Sequence, residues 1–305
     1  MNYLYKAIII SIITTTCSNA LQAQTDIDVN MMQKKELCAG VEYSYHSWNK
    51  YWEADFKRPN LNLGTVRTQM YAAMGTYGVT NKLNIMAGVP FVTTKASAGQ
   101  LKGLQGWQDV MIGAKYKLFQ KTLKQHTLSG YVSAKFTAPT TNYVVDYLPL
   151  NIGLKATTIT SRALVDYQIK KWFTTASAAY VWRSNIRLDR NSYYTTTMHY
   201  TNEVAMPNAF TYNIRAGYRN KGLIAEVFYN NWITQGGFDI TKNNMPFPSN
   251  RMNNSMVGLH VFYPLWFQKK LSIVGNAYTT ITGRNVGQTN GLSIGLFYLA
   301  NFSKK

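Results

Sequence analysis

The feature that most constrains this chain is the regular alternation of apolar and polar side chains in many of its segments. From Leu128 to Thr137, apolar side chains occupy the even positions and mostly polar ones occupy the odd positions. Successive side chains of a β-strand point to opposite faces, so such a segment has one apolar and one polar face. Strands that close a barrel in a lipid bilayer need an apolar outward face. The pattern predicts an all-β protein, a transmembrane antiparallel up-and-down β-barrel.

Five further segments show the same period, and their last member is the clearest. Taken at every second residue, the predicted outward stripes are Val110–Leu118, Tyr212–Tyr218, Leu223–Tyr229, Val257–Tyr263 and Leu292–Phe302. The final stripe ends in aromatic residues, as a strand that reaches a membrane interface should. It resembles the C-terminal signal that the barrel-assembly machinery reads, although three residues follow Phe302. We therefore expect that machinery to be a partner.

Short links alternate with long ones between these segments. Outer-membrane barrels have short turns on the periplasmic side and longer loops outside. The short links lie near residues 78–82, 119–126, 169–172, 219–222 and 264–270, and the long ones near 52–64, 93–107, 139–155, 184–209 and 231–254, with a shorter sixth near 280–289. This rhythm predicts about twelve strands, to within two, with both termini in the periplasm.

The N-terminus has the pattern of a secretory signal peptide. Lys6 supplies a positive charge, residues 7–13 are apolar, and the small residues around Ala20 and Ala23 fit a cleavage site. We expect residues 1–23 to be removed. The rival interpretation, a lipoprotein signal with Cys17 acylated, is disfavoured by the residues before Cys17.

Removal of the signal would leave two parts of the chain to interpret. Residues 24–36 form a short polar segment that either hangs in the periplasm or enters the lumen, and residues 37–305 form the barrel. Cys38 would be the remaining cysteine, so no intrachain disulfide is expected, and it is interpreted as a small packed residue.

Two other protein classes compete with the barrel. A soluble sandwich or jelly roll would show the same alternation, but aromatic residues near the ends of the apolar stripes favour membrane interfaces. The net charge of +19 could indicate nucleic-acid binding. An exported chain, however, meets outer-membrane lipid and lipopolysaccharide first, and the sequence has no nucleic-acid-binding motif, so no nucleic-acid partner is expected.

Two segments carry a family resemblance. The stretch Tyr77–Ile85, running on to Phe91, and the stretch Gly106–Val110 with Gly113–Tyr116 resemble landmarks of the transporter family named for the meta-pathway of phenol degradation. The resemblance implies an outer-membrane barrel distantly similar to long-chain fatty-acid transporters. It also implies that small, often apolar or aromatic, molecules pass through the barrel.

Charged residues on the polar phase of the strands are the candidate lumen residues. They are Arg67, Asp109, Lys115, Lys135, Arg162, Arg215 and Glu226, and the acids Glu42 and Asp166 share this phase. The slight positive excess suggests a weakly anion-preferring or gated lumen. Alternatively, these charges pair across strands and fill the interior. Asp109 either touches solute at the lumen mouth or bonds loop amides at a strand start.

Catalytic and metal chemistry find little support in the sequence. A barrel phospholipase needs a Ser two residues after a His on one strand face, and none of the four His residues has one. No metal-ligand motif is present, and no cofactor is implied. We therefore expect no enzyme, and a barrel hydrolase is the least favoured interpretation.

The function expected from the sequence is that of a porin-like channel in the outer membrane of a Gram-negative bacterium. It would pass small, hydrophobic or aromatic solutes by diffusion, with the long outer loops controlling entry. The alternative is a non-conducting barrel with a structural or surface-interaction role.

Overall fold

The computed structural model describes residues 26–240, 244–268 and 270–302, and its regular elements are all strands. The expected signal peptide lies outside the described residues. Twelve long strands are present: β1 (Glu36–Trp48), β2 (Val66–Gly78), β3 (Leu83–Ala96), β4 (Val110–Leu123), β5 (His126–Ala138), β6 (Thr158–Ile169), β7 (Trp172–Arg183), β8 (Ala209–Asn220), β9 (Leu223–Thr234), β10 (Asn253–Pro264), β11 (Leu271–Arg284) and β12 (Asn290–Asn301). Within the described part, no helix is long and apolar enough to cross a membrane.

The twelve strands form one closed antiparallel sheet. Each strand pairs with its neighbours in the chain, and β1 pairs with β12 from Glu36↔Asn301 to Ser47↔Asn290. A short strand, Gln105–Trp107, extends the sheet at the outer end of β3. The predicted fold, an antiparallel barrel of about twelve strands, is confirmed.

Closure gives every strand an outward and an inward face. On β12, Leu292 and Ile294 are 61% and 59% exposed, whereas Phe297 on the other face is 5% exposed. The exposed face is the apolar one, the reverse of a soluble sandwich, in which apolar side chains are buried. The alternation seen in the sequence therefore marks an oily outer wall.

Short turns and long loops lie at opposite ends of the barrel. The turns comprise residues 79–82, 124–125, 170–171, 221–222 and 265–270; the loops comprise residues 49–65, 97–109, 139–157, 184–208, 235–252 and 285–289. Lys124, Lys170 and Lys221 open the two-residue turns with φ of 56°, 55° and 49°. Left-handed residues let a strand reverse within two residues.

The loops carry further short strands and fold towards the barrel axis. These strands are Lys50–Glu53 with Phe56–Pro59, Ile186–Arg187 with Glu203–Val204, and Tyr193–Tyr194 with Met198–His199. Tyr143, Leu188 and Phe247, from three different loops, share one buried apolar cluster with Val92 of β3. The loops thus cover the outer end of the lumen.

A β-bulge between Lys117 and Phe119 changes the register of β4 against β5. As a result both Leu118 and Phe119 lie on the exposed outer side, 51% and 41% accessible. A bulge places two residues opposite one, so the phase of the strand changes there. The sequence stripe through Leu118 is correct up to this point and shifts phase beyond it.

The pairing of the first and last strands can be tested with one new cysteine. Cys38 and Leu299 are directly opposite each other, and both belong to the apolar cluster inside the barrel. Opposed residues of antiparallel strands have Cα atoms about 4.5–5.5 Å apart, which suits a disulfide. In refolded protein lacking residues 1–23, Leu299→Cys is expected to form a disulfide with Cys38 on oxidation, detected as a cross-linked peptide by mass spectrometry.

The matched control is Ala300→Cys, whose side chain lies on the opposite face. It should leave Cys38 reduced. Equal cross-linking in both variants, or none in Leu299→Cys, would contradict the register.

Candidate functional site

The structure distributes the seven candidate lumen residues over three places. Lys115, Lys135, Arg162, Arg215 and Glu226 lie on the inward faces of β4, β5, β6, β8 and β9. Asp109 lies just before β4, at the outer mouth of the barrel. Arg67 lies on the outward face of β2.

The position of Arg67 corrects the expectation that it faces the lumen. Arg67 shares the pleat face of exposed Tyr71, whereas its neighbour Val66 is 1% exposed. It is directly opposite Lys95 of β3, which is also exposed. The inward residues of β2 are Thr, Met and Ala, so the polar and apolar faces of this strand cannot be told apart from sequence.

Two ion pairs are made within the barrel wall itself. Arg215 forms a salt bridge with Glu226 on the neighbouring strand, and both side chains are under 10% exposed. Arg219 contacts Asp166 at 2.9 Å, and its guanidinium lies 3.5 Å from the centre of the Phe173 ring. These pairs neutralise charge on the strands from β6 to β9. This is the arrangement expected if lumen charges pair across strands.

Three further cations have their acidic partners on the N-terminal segment, the described residues 26–35 before β1. Lys115 Nζ lies 3.2 Å from Asp28 Oδ1 and donates to the carbonyl oxygens of Asp28 and Asn30 at 2.9 and 3.3 Å. Asp26 Oδ2 lies 2.9 Å from Lys135 Nζ and 3.7 Å from Arg162 Nε. The described part of the segment therefore enters the lumen, which the sequence left open.

Apolar contacts hold the same segment. Met32 packs at the inner end of the lumen against Cys38, Phe173 and Phe262. Higher in the barrel, Val29 packs with Tyr131 and Leu164. The segment thus fills the inner half of the lumen.

A chamber remains between the segment and the outer loops. Its volume is about 520 Å³, within the range of small-molecule sites. Its cationic lining residues are Lys135, Arg162 and Arg183, and its apolar lining includes Leu148 and Trp232. A second cavity of about 230 Å³ shares Lys135, Arg162, Thr211 and Trp232 with the first and is bounded by Asp26. The chamber combines positive charge with an apolar and aromatic wall.

Asp109 and Tyr143 fix the outer cover of the chamber. The Tyr143 hydroxyl donates to Asp109 Oδ1 at 2.5 Å and accepts from the Lys155 backbone N at 2.8 Å. Burial raises the pKa of Asp109 above its ordinary value, although this hydrogen bond opposes the shift. Burial and the adjacent carboxylate raise the pKa of Tyr143. Asp109 therefore orders the loop and also lines the chamber.

A metal site is not formed by the residues that the structure describes. Among them, no three or more His, Cys, Asp or Glu side chains group closely enough to hold a metal ion.

Comparison with known proteins agrees with this geometry. The family model described as "Putative MetA-pathway of phenol degradation" matches residues 63–296. The chain belongs to this family. No curated protein sequence is similar enough to count as a match.

The fold of this phenol-degradation family member also occurs in a solved outer-membrane barrel. The COG4313 outer membrane channel from Pseudomonas putida F1 is 13% identical, with a TM-score of 0.69 over 92% of this chain and 100% of that one. At this identity the likeness concerns the fold. The NanC porin is 10% identical, with a TM-score of 0.47 over 85% of this chain and 98% of that one. The translocator domain of autotransporter NalP from Neisseria meningitidis is 10% identical, with a TM-score of 0.45 over 86% and 87%.

The two family-like segments contact the N-terminal segment and the outer cover of the chamber. Gly78 lies where the N-terminal segment crosses the turn after β2, and a Cβ there would be 1.9 Å from the Gln33 carbonyl oxygen. Asn81 in the same turn accepts a hydrogen bond from the Lys34 backbone N at 2.9 Å. The second segment contributes Asp109 and Lys115. In this family member the two landmarks thus support the N-terminal segment and the outer cover.

Several residues of the site could not be identified from alternation. Asp26 and Asp28 lie outside every strand, and Tyr143 lies in a loop. Arg219 and Trp232 are on inward faces but near strand ends, where the pattern is weak. The signal that could have found the first two is the scarcity of acidic residues. The chain has only 13 Asp and Glu against 32 Lys and Arg, and three of the 13 (Asp26, Asp28 and Glu36) fall in the short polar segment 24–36.

The wall pair can be tested through stability. Glu226→Gln leaves the Arg215 guanidinium buried without its counterion and should lower the free energy of unfolding by about 3 kcal/mol. Urea unfolding of the refolded barrel in detergent measures this change. The double variant Arg215→Met with Glu226→Leu removes both charges and should be less destabilised than the single variant. A loss below about 0.5 kcal/mol in Glu226→Gln would mean that the pair is fully solvated.

Proposed function

We propose that this protein is an outer-membrane channel that admits small solutes with an apolar or aromatic body. The observation that carries the proposal is the chamber in the barrel lumen, enclosed by the outer loops and the N-terminal segment. A chamber of this size, lined by apolar residues, Trp232 and a small group of charged side chains, suits one small molecule. The proposal assigns no catalytic step.

The lining supports a preference for anions. Lys135, Arg162 and Arg183 line the chamber, against Asp109 and Asp26. Arg183 lies 5.0 Å from the centre of the Trp232 ring, so charge and aromatic surface occur side by side. A low-dielectric wall strengthens the field of such cations. A solute that carries both an aromatic ring and a negative charge fits this lining best.

Closure at both ends favours a second function, that of a non-conducting barrel. The apolar loop cluster covers the outer end and the Met32 cluster fills the inner end. Passage requires these covers to move. In the channel we propose, the N-terminal segment and the outer loops are the moving parts, because side-chain contacts rather than continuous strand pairing hold them.

The proposed location sets the expected partners. The apolar outer wall suits lipid, and the final strand with Phe302 suits recognition by the barrel-assembly machinery of a Gram-negative bacterium.

Arg67 and Lys95 lie opposite each other on the outward face near the long-loop end. Like charges in directly opposed positions repel. Phosphate groups of lipopolysaccharide would relieve that repulsion.

Liposome swelling tests the transport proposal. Refolded protein in liposomes is given benzenesulfonate, methanesulfonate or arabinose, none of which crosses the bilayer readily. Benzenesulfonate should enter fastest despite its size, because its ring contacts the apolar wall and its charge meets the lumen cations. If none of the three solutes enters, the channel proposal fails and the structural role is favoured.

The lipopolysaccharide contact predicts a salt-sensitive loss of affinity. Each basic residue at a lipid surface contributes about 1 kcal/mol, so Arg67→Gln with Lys95→Gln should weaken binding about tenfold or more. Binding of fluorescent lipopolysaccharide to the detergent-solubilised barrel measures this. Lys124→Gln with Lys170→Gln removes the same charge at the short-turn end and serves as the control. Equal losses in both double variants would refute the assignment.

A further inference from the structure

The distribution of acidic partners separates two kinds of lumen cation. Arg215 and Arg219 have their counterions on the barrel wall. For Lys115, Lys135 and Arg162, all ion-pair partners among the described residues are Asp26 and Asp28 of the N-terminal segment. Adjacent strands β4, β5 and β6 thus present a cationic face whose acidic partners come from outside the barrel wall.

Asp26 occupies the part of this face that borders the chamber. Its Oδ2 lies 2.9 Å from Lys135 Nζ and 3.7 Å from Arg162 Nε. Both cations line the large chamber and the smaller cavity next to it. A molecule in the chamber therefore reaches the same two side chains that hold Asp26.

The Arg162 guanidinium is held in place, but within the described part of the chain one of its N–H donors is left without an acceptor. Its Nη1 donates to Ser177 Oγ at 2.9 Å, which fixes the guanidinium. Its Nε is buried and has no hydrogen-bond acceptor among the described residues. A buried donor without an acceptor costs free energy. A carboxylate that is not attached to the N-terminal segment could accept hydrogen bonds from both Lys135 and Arg162.

We propose that Lys135 and Arg162 form a carboxylate-binding site for a small aromatic acid, and that Asp26 is its built-in occupant in the closed channel. This inference rests on the proposed function and names its solute class. Exchange of one carboxylate for another keeps both cations neutralised. The aromatic body of the solute would lie against Trp232 and the apolar lining of the chamber.

Asp26, attached to the chain, competes with the carboxylate of a free solute for Lys135 and Arg162. A competitor on a short tether has an effective concentration in the millimolar range or above. Its removal should strengthen the binding of a free carboxylate. Binding of the solute in turn frees the upper end of the N-terminal segment, which couples entry of the solute to opening of the inner cover.

Calorimetric titration of benzoate into the detergent-solubilised, refolded protein tests the proposal. Asp26→Asn should bind benzoate about tenfold more tightly than the unmodified chain. The matched control, Asp189→Asn, removes the same charge from an exposed outer loop and should not change the affinity. The neutral analogue benzamide should bind both proteins equally. Lys135→Met should abolish benzoate binding in the Asp26→Asn background.

The outcomes separate this inference from the transport proposal. If Asp26→Asn and Asp189→Asn bind benzoate equally, Asp26 does not occupy the site, even where liposomes swell. If the predicted order of affinities holds but no solute enters liposomes, the site stands and the channel function fails. Should Lys135→Met not fold, judged by its heat-modifiable mobility on gels, the comparison of the two Asp variants decides alone.

Discussion

Hydrogen bonding between the first and last strands is the constraint on which the rest of the structure depends. With β1 paired to β12, the sheet closes and has no free terminal strand. Backbone groups along the wall can then bond between strands, as a lipid environment requires. The pleat then assigns each side chain of the wall to one of two environments. Leu292 and Ile294 must face outward because Phe297 and Gly295 face inward, and a shift by one residue would reverse the whole strand.

The inward assignment creates an electrostatic problem that the wall solves only in part. Arg215 and Arg219 are matched by Glu226 and Asp166 on neighbouring strands. Lys115 is fully buried, and its neutralisation comes from Asp28 and two carbonyl oxygens of the N-terminal segment. Burial of an unpaired charge is strongly unfavourable. The cations of β4–β6 therefore hold the segment inside the barrel, and the segment in turn makes these cations tolerable.

This division explains what could be predicted from the sequence. Outward stripes such as Leu128–Phe136 were identifiable because lipid requires a continuous apolar face, and the rhythm of turns and loops gave the strand number. Arg67 was misassigned because β2 carries Thr, Met and Ala inside and Gln and Tyr outside, so its two faces hardly differ in polarity. The bulge after Lys117 shifts one strand by one residue, and a periodic pattern does not reveal so local a change.

The interior of the site required the structure for a different reason. Lys135 and Arg162 could be placed in the lumen by phase alone, but alternation gives no information about a partner outside the strands. Asp26 and Asp28 reach these cations because the chain reverses just before β1, at Lys35, so that the segment lies inside the lumen. Tyr143 reaches Asp109 although 34 residues separate them and strands β4 and β5 lie between. Such contacts depend on the three-dimensional path of the chain.

Ion selectivity of a barrel without its N-terminal segment tests the central claim most directly. Reversal potentials in planar bilayers, under a potassium chloride gradient, would be measured for refolded protein that lacks residues 24–32. The account predicts clear selectivity for chloride, because Lys115, Lys135 and Arg162 then face the lumen without their carboxylate partners. A non-selective or cation-selective channel would contradict the claim that the segment neutralises these side chains.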